Sequence, residues 1–113
     1  MKRLIAPSIL ASNFLKLGND IELVNKSDAD WIHLDVMDGR FVPNISFGMP
    51  IIKAVKTIAE KLLDVHLMIE EPGKYYNDFK TVGADILTVH YEACPHLHRD
   101  IQTIHSLGMM WKL

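Results

Sequence analysis

The sequence has a single cysteine, Cys94, among 113 residues. One thiol excludes an internal disulfide framework and suits a reducing compartment. Blocks of like charge are also missing: 12 basic and 14 acidic side chains, spread along the chain, leave a formal net charge of −2. That balance argues against nucleic acid or an anionic membrane as a partner and leaves a small molecule as the default. Long apolar runs are absent too. The opening MKRLIAPSIL has Lys2, Arg3 and a short apolar stretch, but Lys16 and Asp20 follow, well short of the ~18 to 20 apolar residues of a membrane span. A soluble, cytoplasmic protein is expected. Compact domains mostly run from roughly 50 to 250 residues, so residues 1–113 are expected to form one domain. No lysine-bearing P-loop pattern follows the glycines of GRFVPNISFG, which removes the common phosphate loop.

What is present is alternation. Leu4–Leu10, Trp31–Val36, Leu63–Ile69 and Asp85–His90 read as strands. Between them, helical spacing runs from Asn19, a plausible N-cap, with Ile21 and Val24 on one face. It recurs from Met49 to Glu60, with Pro50 in the first turn and Ile51, Val55, Ile58 and Ala59 on one side, and from Pro72 to Val82. A last helix, His96–Leu107, is stopped by Gly108. The stretch DADWIHLD has an echo in GADILTVH, each a turn followed by a strand. Repeated βα units predict a parallel sheet whose strands are covered by helices and therefore nearly all apolar. Gly83, at a helix-to-strand junction, suits a positive φ; Asp28, its counterpart, would be strained there.

Polar residues in such strands need a reason. Side chains alternate, so His33 and Asp35 share a face with Trp31, while Ile32, Leu34 and Val36 face the helices. His66 and Met68 pair in the same way in the third expected strand, Thr88 and His90 in the fourth, and Ala6 and Ser8 in the first. Polar groups gathered on one face near the carboxyl ends of parallel strands lie where α/β enzymes keep their sites. His33, Asp35 and His66 offer two imidazoles and a carboxylate, a donor set for a divalent transition metal acting as Lewis acid. From spacing alone, a hydrogen-bonded polar core explains His33 and Asp35 as well. Cys94, His96 and His98 of CPHLH have zinc-site residue types but straddle Pro95 and a helix start, which favours a structural role. Asp38 and Gly39 read as turn residues, with Asp38 able to orient the surroundings of Asp35. Met37 and Met68 read first as core. The loop GRFVPNISFG is long for a βα connection, and Phe41 and Phe47 could help it exclude water as a lid.

The stretches APSILASNF, WIHLDVMDGRFVPNISFG, DVHLMIEEP and ILTVHYEA, in this order and spacing, closely resemble the ribulose-phosphate 3-epimerase family from Arg3 to about Gly108. The resemblance implies an α/β fold, the (β/α)8 TIM barrel, here its first four βα units as a half-barrel. It implies interconversion of D-ribulose 5-phosphate and D-xylulose 5-phosphate in the pentose phosphate pathway, with a pentulose phosphate as the small-molecule partner. His33, Asp35 and His66 match ligands of a divalent metal (zinc, iron, manganese or cobalt), and Asp35 also matches an acid/base carboxylate. Ser8 and His66 match substrate-contacting positions, and Met37 and Met68 match residues lining the reacting carbons.

Members of that family are about twice as long. Their second catalytic aspartate and phosphate-binding loops have no counterpart in these residues, and the ending Met110–Leu113 reads as a truncation or frameshift. The chain alone is therefore expected to be inactive. An allulose-6-phosphate 3-epimerase and a non-catalytic, self-associating half-barrel are the competing readings. Four units would leave Leu4–Leu10 and Asp85–His90 as open edges and Leu4, Trp31 and Ile86 in an exposed apolar patch, which predicts a homo-oligomer.

Overall fold

The structure, a computed structural model, describes residues 4–9 and 14–113. After a short 3-10 turn at Phe14–Lys16, helices and strands alternate: α1 (Leu17–Lys26), β1 (Trp31–Met37), α2 (Met49–Ile58), β2 (Leu62–Met68), α3 (Tyr76–Val82), β3 (Ile86–Thr88), α4 (Leu97–Ser106) and β4 (Met110–Lys112). The strands form one parallel sheet in the order β1-β2-β3-β4. This is the half-barrel arrangement of the first βα units of a TIM barrel. The register sets His33 beside Asp64, Asp35 beside His66 and Met37 beside Met68.

The expected alternation within strands holds. Ile32, Leu34, Leu63, Val65, Leu67 and Leu87 are fully buried and meet Ile21, Ile52, Val55, Phe79 and Ile104 from the helices. Burial of this aliphatic face contributes roughly 1.5 to 3 kcal/mol per large side chain. It fixes register, because a slip of one residue would turn the apolar set outward.

Several boundaries differ from expectation. The segment from Leu4 lies along β1 but is not a regular strand. Ile5 O accepts from Asp30 N (2.7 Å) and Trp31 N (3.1 Å), Pro7 O accepts from His33 N (2.9 Å), and Ser8 forms an isolated parallel bridge with His33. Pro7 has no amide to donate, so one rung of a ladder is missing; Leu10 lies outside the described residues. Asn19 sits inside the first turn of α1 and is not its cap: the helix begins two residues earlier, led in by the 3-10 turn. α2 ends at Ile58, before the expected Glu60, because Asn25 caps it from α1, its Nδ2 donating to Ile58 O at 2.8 Å and its Oδ1 accepting from Glu60 N at 2.9 Å. Ile58 itself is exposed. The expected helix from Pro72 is divided: a 3-10 turn, Pro72–Lys74, is followed by a break at Tyr75 before α3.

Gly83 has φ of 119° as anticipated, but Asp28 is not in the left-handed region, since α1 ends on an extended Ser27. The two junctions are therefore built differently and Asp28 carries no strain. Near the carboxyl end, Met110–Lys112 pairs with β3 as a further strand. Asp85–His90 is thus not an open edge, and Ile86, expected in an exposed patch, is 1% exposed.

Candidate metal centre

The middle of β1 and the carboxyl half of β2 bring the expected residues together. His33 Nε2 lies 2.8 Å and His66 Nδ1 3.0 Å from the same atom, Asp35 Oδ1. Ser8 Oγ donates to the other carboxylate oxygen, Oδ2, at 2.8 Å. One ligand atom from each of His33, Asp35 and His66 falls within 4.8 Å of the others, so this group could hold a metal ion. A tetrahedral ion with bonds of about 2.0 to 2.2 Å sets neighbouring ligand atoms roughly 3.3 to 3.6 Å apart. Small outward shifts of the two imidazoles reach that spacing. The donor chemistry fits equally: two nitrogens point at one carboxylate oxygen, a concentration of acceptor atoms that calls for a proton or a cation between them.

The electrostatics agree. The Asp64 carboxylate hydrogen-bonded to His33 is the main reason that its imidazole is held above the ordinary histidine range; burial opposes this and Asp35 adds to it. Burial alone would push the Asp35 carboxyl up, but the Ser8 hydroxyl and both imidazoles outweigh it and hold Asp35 below the usual carboxylate range. His66 goes the other way. Burial is the main cause of its lowered value, reinforced by His90 and His33 and opposed by Asp35.

Met37 and Met68 stand half-buried on the same face, at the carboxyl ends of β1 and β2, outside the buried core. The loop after β1 is pinned. Ser46 Oγ donates to Asp35 O at 2.6 Å and accepts from Met37 N at 2.9 Å, while Asp38 accepts from Arg40 N, Phe41 N and Glu70 N. Phe41 lies 5.3 Å, ring to ring, from His90 beside the centre. Phe47 does not join it: it packs edge-on against Phe14 at 5.7 Å. Cys94 is buried with its sulfur 3.7 Å from the Tyr76 hydroxyl, while His96 and His98 are exposed, so CPHLH forms no cluster.

The sequence profile of the Ribulose-phosphate 3 epimerase family matches residues 4–113. The chain belongs to this family. It is 58% identical over 105 residues to the ribulose-phosphate 3-epimerase of Bacillus subtilis (strain 168), covering 93% of this chain and 48% of that protein. It is 56% identical over 106 residues to the enzyme of that name from Synechocystis, covering 92% and 46%. Against the chloroplastic ribulose-5-phosphate-3-epimerase of Arabidopsis thaliana it is 50% identical over 107 residues, covering 93% and 38%. The chain therefore spans about half the length, or less, of these curated relatives.

Within this epimerase-family chain, two residues near the centre escaped the sequence reading as site residues. Asp64 is 0% exposed, and its Oδ2 lies 2.9 Å from His33 Nδ1. His90 Nε2 lies 2.7 Å from His66 Nε2. Strand parity, which marks both as facing the same way as His33 and His66, was the available signal. A cleft of about 400 Å³ lined by Asp38, Arg40, Glu70 and Lys74 contains none of the metal-capable group. Among the described residues no helix is long and apolar enough to cross a membrane.

Proposed function

We propose that this chain supplies the metal centre and one acid/base carboxylate of a ribulose-phosphate 3-epimerase, which interconverts D-ribulose 5-phosphate and D-xylulose 5-phosphate by proton transfer at C3. The observation that carries this reading is the convergence of His33 Nε2 and His66 Nδ1 on Asp35 Oδ1 in a chain of that family. Epimerisation beside a ketone requires removal of the C3 proton from one face, transient formation of an enediolate, and return of a proton to the other face. Asp35 takes or returns the proton on one face. Its lowered value keeps it ionised and ready to accept, and Ser8 orients it through Oδ2. Ser8 and His66 stand beside Asp35 where a sugar phosphate would be contacted, and Met37 and Met68 wall the same face with side chains that carry no exchangeable proton.

His33, Asp35 and His66 would hold a divalent cation, with zinc, iron, manganese and cobalt all suited to two imidazoles and a carboxylate, and it would supply Lewis-acid stabilisation of the charge that develops on the sugar oxygens. A single carboxylate serves one face only, so the chain by itself is expected to turn over negligibly. A cytoplasmic location is proposed, with the Arabidopsis relative showing that the compartment varies within the family.

The test is a chimera in which this chain replaces the matching half of the Bacillus subtilis relative. It should epimerise ribulose 5-phosphate and exchange the C3 hydrogen with deuterium oxide, with allulose 6-phosphate as the competing substrate. Asp35→Asn should lower the rate by about 10² to 10⁴. An undiminished rate in that variant would refute the role of Asp35.

A further inference from the structure

Asp64 is a carboxylate with no exposed surface at the centre of the sheet, a costly position unless its oxygens are fully partnered. Its partners come from three other strands: His33 Nδ1 at 2.9 Å on β1, Thr88 Oγ1 at 3.0 Å on β3 and Lys112 Nζ at 2.9 Å on β4. Thr88 occupies Oδ1, and His33 shares Oδ2 with Lys112. The Lys112 side chain is 41% exposed, so water competes for it, while His33 is held in the sheet.

We propose that Asp64 is the positioning residue of the metal centre, holding the His33 ring with Nδ1–H directed at its own Oδ2 so that Nε2 presents a lone pair where Asp35 Oδ1 and His66 Nδ1 converge. This rests on the metal-centre reading above. Two carboxylates flank one ring, and the proton of a neutral imidazole goes to one side. The Asp35 side chain is 12% exposed, so water and the Ser8 hydroxyl can serve its oxygens, whereas the Asp64 side chain is 0% exposed and has no water to turn to. The proton therefore stays at Nδ1, and Nε2 is left for an ion. A second carboxylate that fixes the tautomer and tilt of a ligating histidine typically strengthens metal binding 10- to 100-fold.

Two measurements test this. In the metal-free chain with the imidazole neutral, long-range proton–nitrogen NMR should show His33 protonated at Nδ1 and bare at Nε2. The reverse tautomer would overturn the proposal without any variant. Zinc titration should then find Asp64→Leu, which keeps bulk but removes the acceptor, about 10- to 100-fold weaker than wild type, and Asp64→Asn, which keeps an acceptor oxygen, close to wild type. A folded Asp64→Leu that binds zinc as wild type does, or an Asp64→Asn as weak as it, would overturn the proposal; should Asp64→Leu fail to fold, the wild-type tautomer decides. Zinc binding unaffected by Asp35→Ala and His66→Ala would instead remove the metal-centre reading, and the tautomer would still report on Asp64.

Discussion

Zinc should raise the melting temperature of this chain, and His66→Ala should remove most of the rise. A ligand that binds only the folded state at 100 times its dissociation constant stabilises by about 2.7 kcal/mol. For a domain of this size each kcal/mol moves the midpoint by roughly 4 °C, which gives a rise near 10 °C. His66 offers one of the three side chains that could hold the ion, with Nδ1 3.0 Å from Asp35 Oδ1. If its loss costs about 2 kcal/mol of binding, the scale of one charge-assisted contact, affinity falls roughly 30-fold. The same zinc then stabilises by only about 0.9 kcal/mol, a rise of about 3.5 °C. Differential scanning fluorimetry at fixed free zinc measures both shifts. His96→Ala, at an exposed histidine of CPHLH, is the control and should leave the wild-type shift intact. Equal shifts in wild type and His66→Ala, or a lost shift in His96→Ala, would refute the reasoning.

Gly83→Ala should destabilise by about 2 to 4 kcal/mol in urea melts: φ is 119°, and an added Cβ would sit 2.5 Å from Lys56 Cγ. Gly48→Ala, with nothing within 4 Å of the added Cβ, should lose only the glycine N-cap of α2, about 0.5 to 1 kcal/mol. Asp38→Ala strips the acceptor from the amides of Arg40, Phe41 and Glu70; a loss of about 1 to 2 kcal/mol and faster proteolysis within 38–48 are expected. Burial, with Cys94 contributing, raises the Tyr76 hydroxyl, and burial likewise raises the Cys94 thiol. The folded chain thus holds protons that the unfolded chain releases, so stability should be intact below the ordinary thiol range and fall as pH rises through it, with Cys94→Ala flattening the first part of that fall. Met110 and Trp111 are half-exposed on the edge strand β4, and Leu4 and Ile5 are exposed along β1. Light scattering over a dilution series should therefore show self-association, and a monodisperse monomer at micromolar concentration would count against it.

The reach of the sequence differs between one strand and its neighbours. Parity along WIHLDVM is a local property, because each side chain's face follows from its place in a seven-residue strand. The shared face of His33 and Asp35, and the matching face of His66, were legible for that reason. Asp64 stands two residues before His66 in DVHLM and obeys the same parity, yet nothing in the local sequence shows where its carboxylate would find partners. Its burial depends on Thr88 and Lys112, which arrive from strands far along the chain. β4 was illegible for a similar reason: Met110–Lys112 has three residues and no alternation to read, and becomes a strand only by pairing with Ile86–Thr88. That same pairing delivers Lys112 to Asp64 and over the Trp31 ring, 5.0 Å from its centroid. The group that could hold a metal was thus written in local spacing, while the buried carboxylate beside His33 is set by four strands meeting, and only the assembled sheet shows why a charged group belongs at its centre.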